Sequence, residues 1–299
     1  MIHDVIIIGG SFAGLSAALP LARARRRVLL VDAGRPRNRF ASHSHNFLGQ
    51  DGVPPADIVA LGRRQLGVYP TVAFADDLAE GVEGASDLFT IALRSGAIHT
   101  GRRLILATGV RDELPALPGL AERWGVSALH CPYCHGYEVA DRPLGVLATQ
   151  AGADQKALLI ADWGPATLFT QGRFTPEPEM AAKLAARGVT VEISPIVELL
   201  GDAPDLSAVR LADGRVLPLT ALFVGPQTSM ASPLAEQLGC AFEDGHSGPT
   251  LRVDAFKQTS VPGVYGAGDA TMGMHSAPLA AASGTLAGVG AHRSLLGWD

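Results

Sequence analysis

The sequence predicts an α/β fold of two nucleotide-binding-like domains, one of them interrupted by the other. Three observations predict it. The chain opens on an apolar run, a glycine-rich turn, a helix pattern and a second apolar run ending in a carboxylate; it closes on a short strand, a Gly-Asp step and an Ala-rich helix; and a second set of buried-strand patterns lies between. The two ends carry halves of one domain, so the middle is an insertion.

Residues 4–8 read DVIII, which suits a parallel strand buried on both faces. Gly9-Gly10-Ser11-Phe12-Ala13-Gly14 follows, then a helix-like stretch over residues 15–25 and a buried strand over 27–32 that ends at Asp32. In such a unit the turn lets backbone approach a pyrophosphate at the helix N-terminus, where unpaired N–H groups and the helix dipole favour an anion. A carboxylate ending the second strand can bond ribose hydroxyls. Gly9, Ser11, Phe12, Ala13, Gly14 and Asp32 are therefore candidate nucleotide contacts. Ser11 stands where the G-x-G-x-x-G pattern has its second glycine, an exchange of one small residue for another. Residues 104–109 (LILATG) read as a strand after a meander containing Ser95-Gly96, with Thr108 and Gly109 at its end. Residues 259–269 predict a turn, a strand and the Gly268-Asp269 step, after which Pro278 opens a helix running to Ala291.

The central stretch reads differently. Residues 144–148 and 157–161 are strand-like and 166–169 helix-like. The turn Thr149-Gln150-Ala151-Gly152-Ala153-Asp154 lacks the glycine pair that would admit a second pyrophosphate, and residues 170–174 hold a single basic residue, Arg173. Before these lies His130-Cys131-Pro132-Tyr133-Cys134-His135-Gly136. Two thiols separated by two residues can close a small reversible disulfide while imidazoles move protons, so thiol/disulfide chemistry leads. A zinc site would draw on a second paired motif, which is missing, and no metal is expected. Cys240 is isolated and reads as a small buried hydrophobe. A cysteine at a helix start beside an imidazolium has a lowered pKa, and Pro132 suits a first helical turn. His135 titrates near neutrality and is the candidate general acid/base; Glu138, three residues on, can orient it. His130 is a candidate too, with a surface loop as the other reading.

On these residues the chain resembles the low-molecular-weight thioredoxin reductases, FAD-dependent pyridine nucleotide-disulfide oxidoreductases with a central dithiol domain between two flavin-binding segments. The resemblance implies two Rossmann-like domains: an FAD-binding domain over residues 1–110 and 238–299, and an NADPH-domain-like region over 111–237 that carries the CxxC; the missing second glycine pair departs from the family and marks that region as degenerate for NADPH. It implies FAD as cofactor, Gly268 and Asp269 toward its ribityl and phosphate groups, and Thr108 and Gly109 at the exit from the flavin domain. It makes Asn46, in residues 46–49 (NFLG), a flavin contact; His275, near the start of the last helix, is a candidate for the flavin edge, with an incidental histidine of a polar loop as the other reading. By the same resemblance Cys134 is the thiol nearest the flavin, Cys131 meets the substrate, and His135 stands where the family has an aspartate. Loops such as residues 115–126 would form the substrate pocket. Residues 131–138 (CPYCHGYE) are also similar to the thioredoxin-reductase-like dithiol oxidases of the gliotoxin/holomycin type. The expectation is a dithiol oxidase that passes electrons to O2 without NADPH. The other direction, reduction of a thioredoxin-like protein fed by NADPH or a ferredoxin-like carrier, stays open, as does a flavin-containing redox sensor. A homodimer is implied as well.

Composition bounds the partners. With 299 residues, 47% apolar and 18% charged, the chain has material for two globular domains, and a net charge of −5 gives no footprint for nucleic acid. No stretch approaches the ~20 apolar residues of a membrane helix, and residues 5–8 are too short for a signal segment. Three cysteines fit a reducing compartment, so a cytoplasmic setting is expected.

Overall fold

The computed structural model describes residues 2–298. They form two compact units, one of residues 2–39, 53–111 and 228–298, the other of Phe40–Gly52 and Asp112–Gln227. The return to the first unit falls at Thr228, ahead of the expected boundary at 238, because Leu234, Ala235 and Cys240 pack into that unit's core with Ile6, Leu29 and Leu104. Residues 40–52, read from sequence as part of the flavin domain, group with the second unit.

The first unit begins with β1 (Ile2–Ile8), α1 (Phe12–Arg23), β2 (Val28–Val31), α2 (Pro55–Gly67), β3 (Val72–Ala75), β4 (Ala79–Ala85), β5 (Leu88–Leu93) and β6 (Ile98–Leu106). β1 lies between β2 and β6, all parallel, and β4, β5 and the start of β6 form an antiparallel meander. The reversal of strand order beside β1 opens a crevice at the strand C-termini, which is where α/β sheets bind ligands. Helix α1 starts at Phe12, three residues before the sequence pattern suggested, because the first turn buries Phe12, Ala13 and Gly14 as well as Leu15.

After β7 (Val110–Glu113) the second unit contains β8 (Ala128–Leu129), α3 (Pro132–His135), β9 (Leu144–Leu147), α4 (Ala153–Ile160), β10 (Ala166–Phe169), α5 (Pro178–Ala186) and β11 (Thr190–Glu192). β12 (Ile196–Leu200), β13 (Ala208–Leu211), β14 (Val216–Pro218) and β15 (Ala221–Val224) complete it. Its parallel sheet has the order β11-β10-β9-β15-β8, and β12-β13-β14 form a separate antiparallel sheet. Two sequence readings are corrected by the structure. Residues 157–160 belong to helix α4, which is capped by Ala161 and buries Ala153, Ala157 and Ile160 at helical spacing, and residues 166–169 are strand β10, buried against β9 and β11. The stretch 115–126, expected to help form the substrate pocket, is anchored: Leu120 is in the core, and the buried Arg123 side chain donates to the carbonyls of Gly119, Gly201 and Asp205.

The chain then re-enters the first unit through β16 (Gln227–Met230), α6 (Leu234–Gln237), β17 (Phe242–Gly245), β18 (Gly248–Leu251), β19 (Val264–Gly266) and α7 (Ala277–Leu295). β19 joins the large sheet beside β6, in parallel register Val264↔Leu104 to Gly266↔Leu106. α7 lies against α1 so closely that a Cβ on Gly284 would fall 2.0 Å from the Ala13 carbonyl oxygen and one on Gly288 2.3 Å from that of Ala17. This packing joins the first and last helices of the chain into one layer. Among the described residues no helix is long and apolar enough to cross a membrane.

Candidate active site

In the first unit, both ends of the chain converge on the turn after β1. Gly9 has φ +109°, a left-handed conformation, and a Cβ there would meet the Ala107 carbonyl oxygen at 2.2 Å. Gly14 sits so tightly over the turn that a Cβ would fall 1.7 Å from the Gly9 carbonyl oxygen. Ser11 is the N-cap of α1 and makes no side-chain cap bond, so the N-terminal N–H groups of α1, at Phe12 and Ala13, face the turn without a serine hydroxyl in the way. Gly268, with φ +75°, comes within 2.9 Å of the Ala13 side chain at its Cβ position, and its N–H donates to Ser283 Oγ at 3.2 Å. Asp269 is next and accepts from Arg37 at 3.0 Å, a pairing that sequence reading missed. Asp32 directly follows β2; its carboxylate lies 3.8 Å from Arg63, which also holds Asp76 at 2.7 Å. Past Asp32 opens a cleft of about 380 Å³ lined by Gly34, Arg35, Arg63, Asp77 and Arg94 among others. Thr108 and Gly109 follow β6, with Gly109 accepting from the Ala231 N–H at 3.2 Å, and His275 directly precedes Ser276, the N-cap of α7. The tight glycine turn, where a Cβ at Gly9, Gly10 or Gly14 would clash, the helix start and the carboxylate after β2 fit a dinucleotide such as FAD.

The second unit holds the thiols. Cys131 leaves β8 through His130 and is the N-cap of α3, with Pro132 in the first turn. The Sγ atoms of Cys131 and Cys134 are 2.8 Å apart, with Cys134 as donor and Cys131 as acceptor. The Cys131 pKa is drawn down to about 7, first by that S–H bond, against burial, and further by backbone N–H groups of Cys134 and Tyr133 and by the charge of Lys156. The cation beside the thiol is thus Lys156, in α4, and not the expected imidazolium. Burial holds the His135 imidazole below its ordinary range, with Glu138 pulling the other way and His45 reinforcing the decrease, so His135 is neutral at pH 7. A neutral imidazole can accept a proton, which suits a base. Glu138 reaches His45 Nε2 at 3.3 Å, and His45 Nδ1 is 3.5 Å from Asp51; Glu138 acts on His135 by charge. Asn46 lies beside this pair with φ +60°, its N–H donating to Asp51 at 2.9 Å, in the unit that carries the dithiol. His130 Nδ1 is 3.4 Å from the Val224 carbonyl oxygen. Tyr133 meets Trp163 edge-on at 5.7 Å, and a Cβ on Gly136 would fall 2.8 Å from the Trp163 ring, so the indole backs α3. Cys240 lies in the first unit, buried, its Sγ 3.6 Å from Thr259 Oγ1.

The turn after β9 is occupied by its own neighbours. Thr149 Oγ1 donates to the Gly225 carbonyl at 2.5 Å, Arg173 donates to the Thr149 carbonyl at 2.9 Å, and the Gln150 and Gln227 side chains bond to each other. Arg173, the one basic residue among residues 170–174, is thereby turned onto the turn itself.

A model of the family described as pyridine nucleotide-disulphide oxidoreductase matches residues 3–158 and 174–284. Thioredoxin reductase tcpT of Claviceps purpurea is 34% identical over 99% of this chain and 95% of its own length. Thioredoxin reductase sirT of Leptosphaeria maculans is 31% identical over 100% and 96%. Among solved structures, an oxidoreductase from Agrobacterium tumefaciens matches with a TM-score of 0.96 at 48% identity, over 100% of both chains. HlmI matches with a TM-score of 0.89 at 38% identity, over 100% of this chain and 94% of that one.

Proposed function

Because this chain belongs to the pyridine nucleotide-disulphide oxidoreductase family, as a thioredoxin reductase-like FAD-dependent enzyme, we propose that it oxidises a small dithiol to a disulfide through Cys131 and Cys134, without NADPH. The observation that carries this reading is the filled turn after β9. Thr149 and Arg173 spend their side-chain donors on protein carbonyls and the Gln150 carbonyl oxygen accepts from the Gln227 amide, where a second dinucleotide would need free donors and cations.

In the reading's first step a substrate thiolate attacks Cys131 Sγ of the Cys131–Cys134 disulfide, and Cys134 leaves. His135 takes the proton from the substrate thiol and returns it to Cys134. The second substrate thiol then attacks the mixed disulfide and expels Cys131. A leaving thiol of low pKa departs faster, so the depressed pKa of Cys131 serves this product-releasing step. The substrate loses two electrons and two protons, and the thiol pair gains them. Bound FAD supplies the two-electron acceptor that restores the disulfide, and O2 is its final acceptor. In the FAD site we assign Gly9, Ser11, Phe12, Ala13, Gly14, Gly268 and Asp269 to the phosphates and ribityl chain and Asp32 to ribose; Thr108, Gly109, Asn46 and His275 are assigned beside the flavin. Glu138 tunes His135, and His130 positions Cys131. A homodimer in the cytoplasm completes the proposal.

The purified holoenzyme, reduced anaerobically, tests it. Bleaching of the flavin by dithiothreitol but not by millimolar NADPH, with colour and hydrogen peroxide appearing on admission of air, is expected. Stoichiometric bleaching by NADPH would overturn it in favour of a nicotinamide-driven reductase.

A further inference from the structure

Lys156 lies in the first turns of α4, one residue before the buried Ala157, so the helix face that packs on the sheet carries its side chain inward. A buried ammonium is costly unless partners replace its water. Here Nζ donates to the His130 carbonyl at 2.8 Å and to the Val224 carbonyl at 3.1 Å. These carbonyls stand at the C-terminal ends of β8 and β15, neighbouring parallel strands, and His130 is the residue from which Cys131 projects. Carbonyl oxygens share the protons but carry no net charge. Among the described residues, the anion that acts on Lys156 is the Cys131 thiolate.

We infer that Lys156 is a positioning residue for the dithiol: its ammonium clips the strand ends that carry Cys131 and is the counter-charge of the Cys131 thiolate. Burial pushes the Lys156 pKa down to about 8 while the thiolate pulls it up, and the Cys131 pKa lies at about 7, so both are charged between those values. The other titratable groups of this neighbourhood are His130, whose Nδ1 shares the Val224 carbonyl, and Cys134, whose S–H bonds Cys131. The inference deepens the proposed role of Cys131 and rests on it.

The test is the pH profile of Cys131 alkylation by iodoacetamide, read by peptide mass spectrometry on the anaerobically reduced holoenzyme. Lys156→Met should raise the midpoint by roughly half a unit, its charge being the smallest of the influences that hold the thiol down. Lys156→Gln, which keeps N–H donors for the carbonyls without the charge, should do the same, whereas Lys156→Arg should keep the midpoint near that of wild type. An unchanged midpoint in the Met and Gln variants would overturn the inference. So would equal shifts in all three with lowered melting temperature, which would leave Lys156 a structural clip. Should Lys156→Met not fold, the Gln and Arg pair decides. The assay needs neither substrate nor O2, so its failure is separate from failure of the dithiol-oxidase reading.

Discussion

Removing the Cys134 thiol should make Cys131 slower at neutral pH and faster in alkali. The S–H bond from Cys134 is the largest cause of the depressed Cys131 pKa; without it, burial opposes the backbone N–H groups and Lys156, and the thiol returns toward its ordinary 9.0. At pH 7 the thiolate fraction then falls from about one half to about 1%. The more basic thiolate is also the better nucleophile, by roughly eightfold over two units at a Brønsted slope of 0.4–0.5. Cys134→Ala should therefore alkylate roughly sixfold more slowly at pH 7 and roughly sevenfold faster near pH 10. The two rate profiles cross. Initial rates of iodoacetamide labelling of Cys131, followed by mass spectrometry across this range under argon, measure it. Profiles that superpose, or a variant slower at every pH, would refute the assignment of the Cys134 S–H as the thiolate's main support.

Two further outcomes are expected. Gly14→Ala puts a Cβ 1.7 Å from the Gly9 carbonyl oxygen, and should cost about 1–3 kcal/mol of stability and most of the visible flavin absorbance per mole of purified protein; full flavin content with an unchanged melt would contradict the cradle. Burial lowers the folded-state pKa of His135 below 6.5, so the unfolded chain binds that proton first, and stability present above pH 6.5 is lost as pH falls from 6.5 toward the folded value. His135→Gln should flatten this part of the melting-temperature profile, leaving the shares of His3 and His292, which are lowered in the same direction.

The nucleotide-binding half of the fold was legible because its signals are local: a buried run, a glycine turn and a terminal Asp32 sit within one strand-helix-strand unit, and Gly268-Asp269 repeats the idea at the other end. Residues 153–169 were not. The runs ALLIA and ATLF are both short and apolar, a case in which periodicity alone does not separate helix from strand. Their surroundings hold the answer: Ala153, Ala157 and Ile160 are spaced for one helix face, while Thr167 and Phe169 suit a pleated, buried strand. At the thiols, the C-x-x-C announced itself, but its electrostatic partners did not. Lys156 reaches carbonyls 26 and 68 residues away, and His45 meets Glu138 from a segment remote in sequence; such contacts exist only once the strands are in register.

The contact between α1 and α7 has a consequence for the order of manufacture. A ribosome finishes α1 at Arg23 and begins α7 only at Ala277, so at 5–20 residues per second the two halves of this layer emerge roughly ten to fifty seconds apart. In that interval β1 and β2 exist with Ile6, Ile7, Leu29 and Leu30 but without β19 or the helix that covers α1, whereas residues 112–227 are already outside and able to close their own sheet. A nascent chain would acquire its thiol unit first and its nucleotide cradle last. Truncation before β19 would leave the early strands as an apolar surface for chaperones.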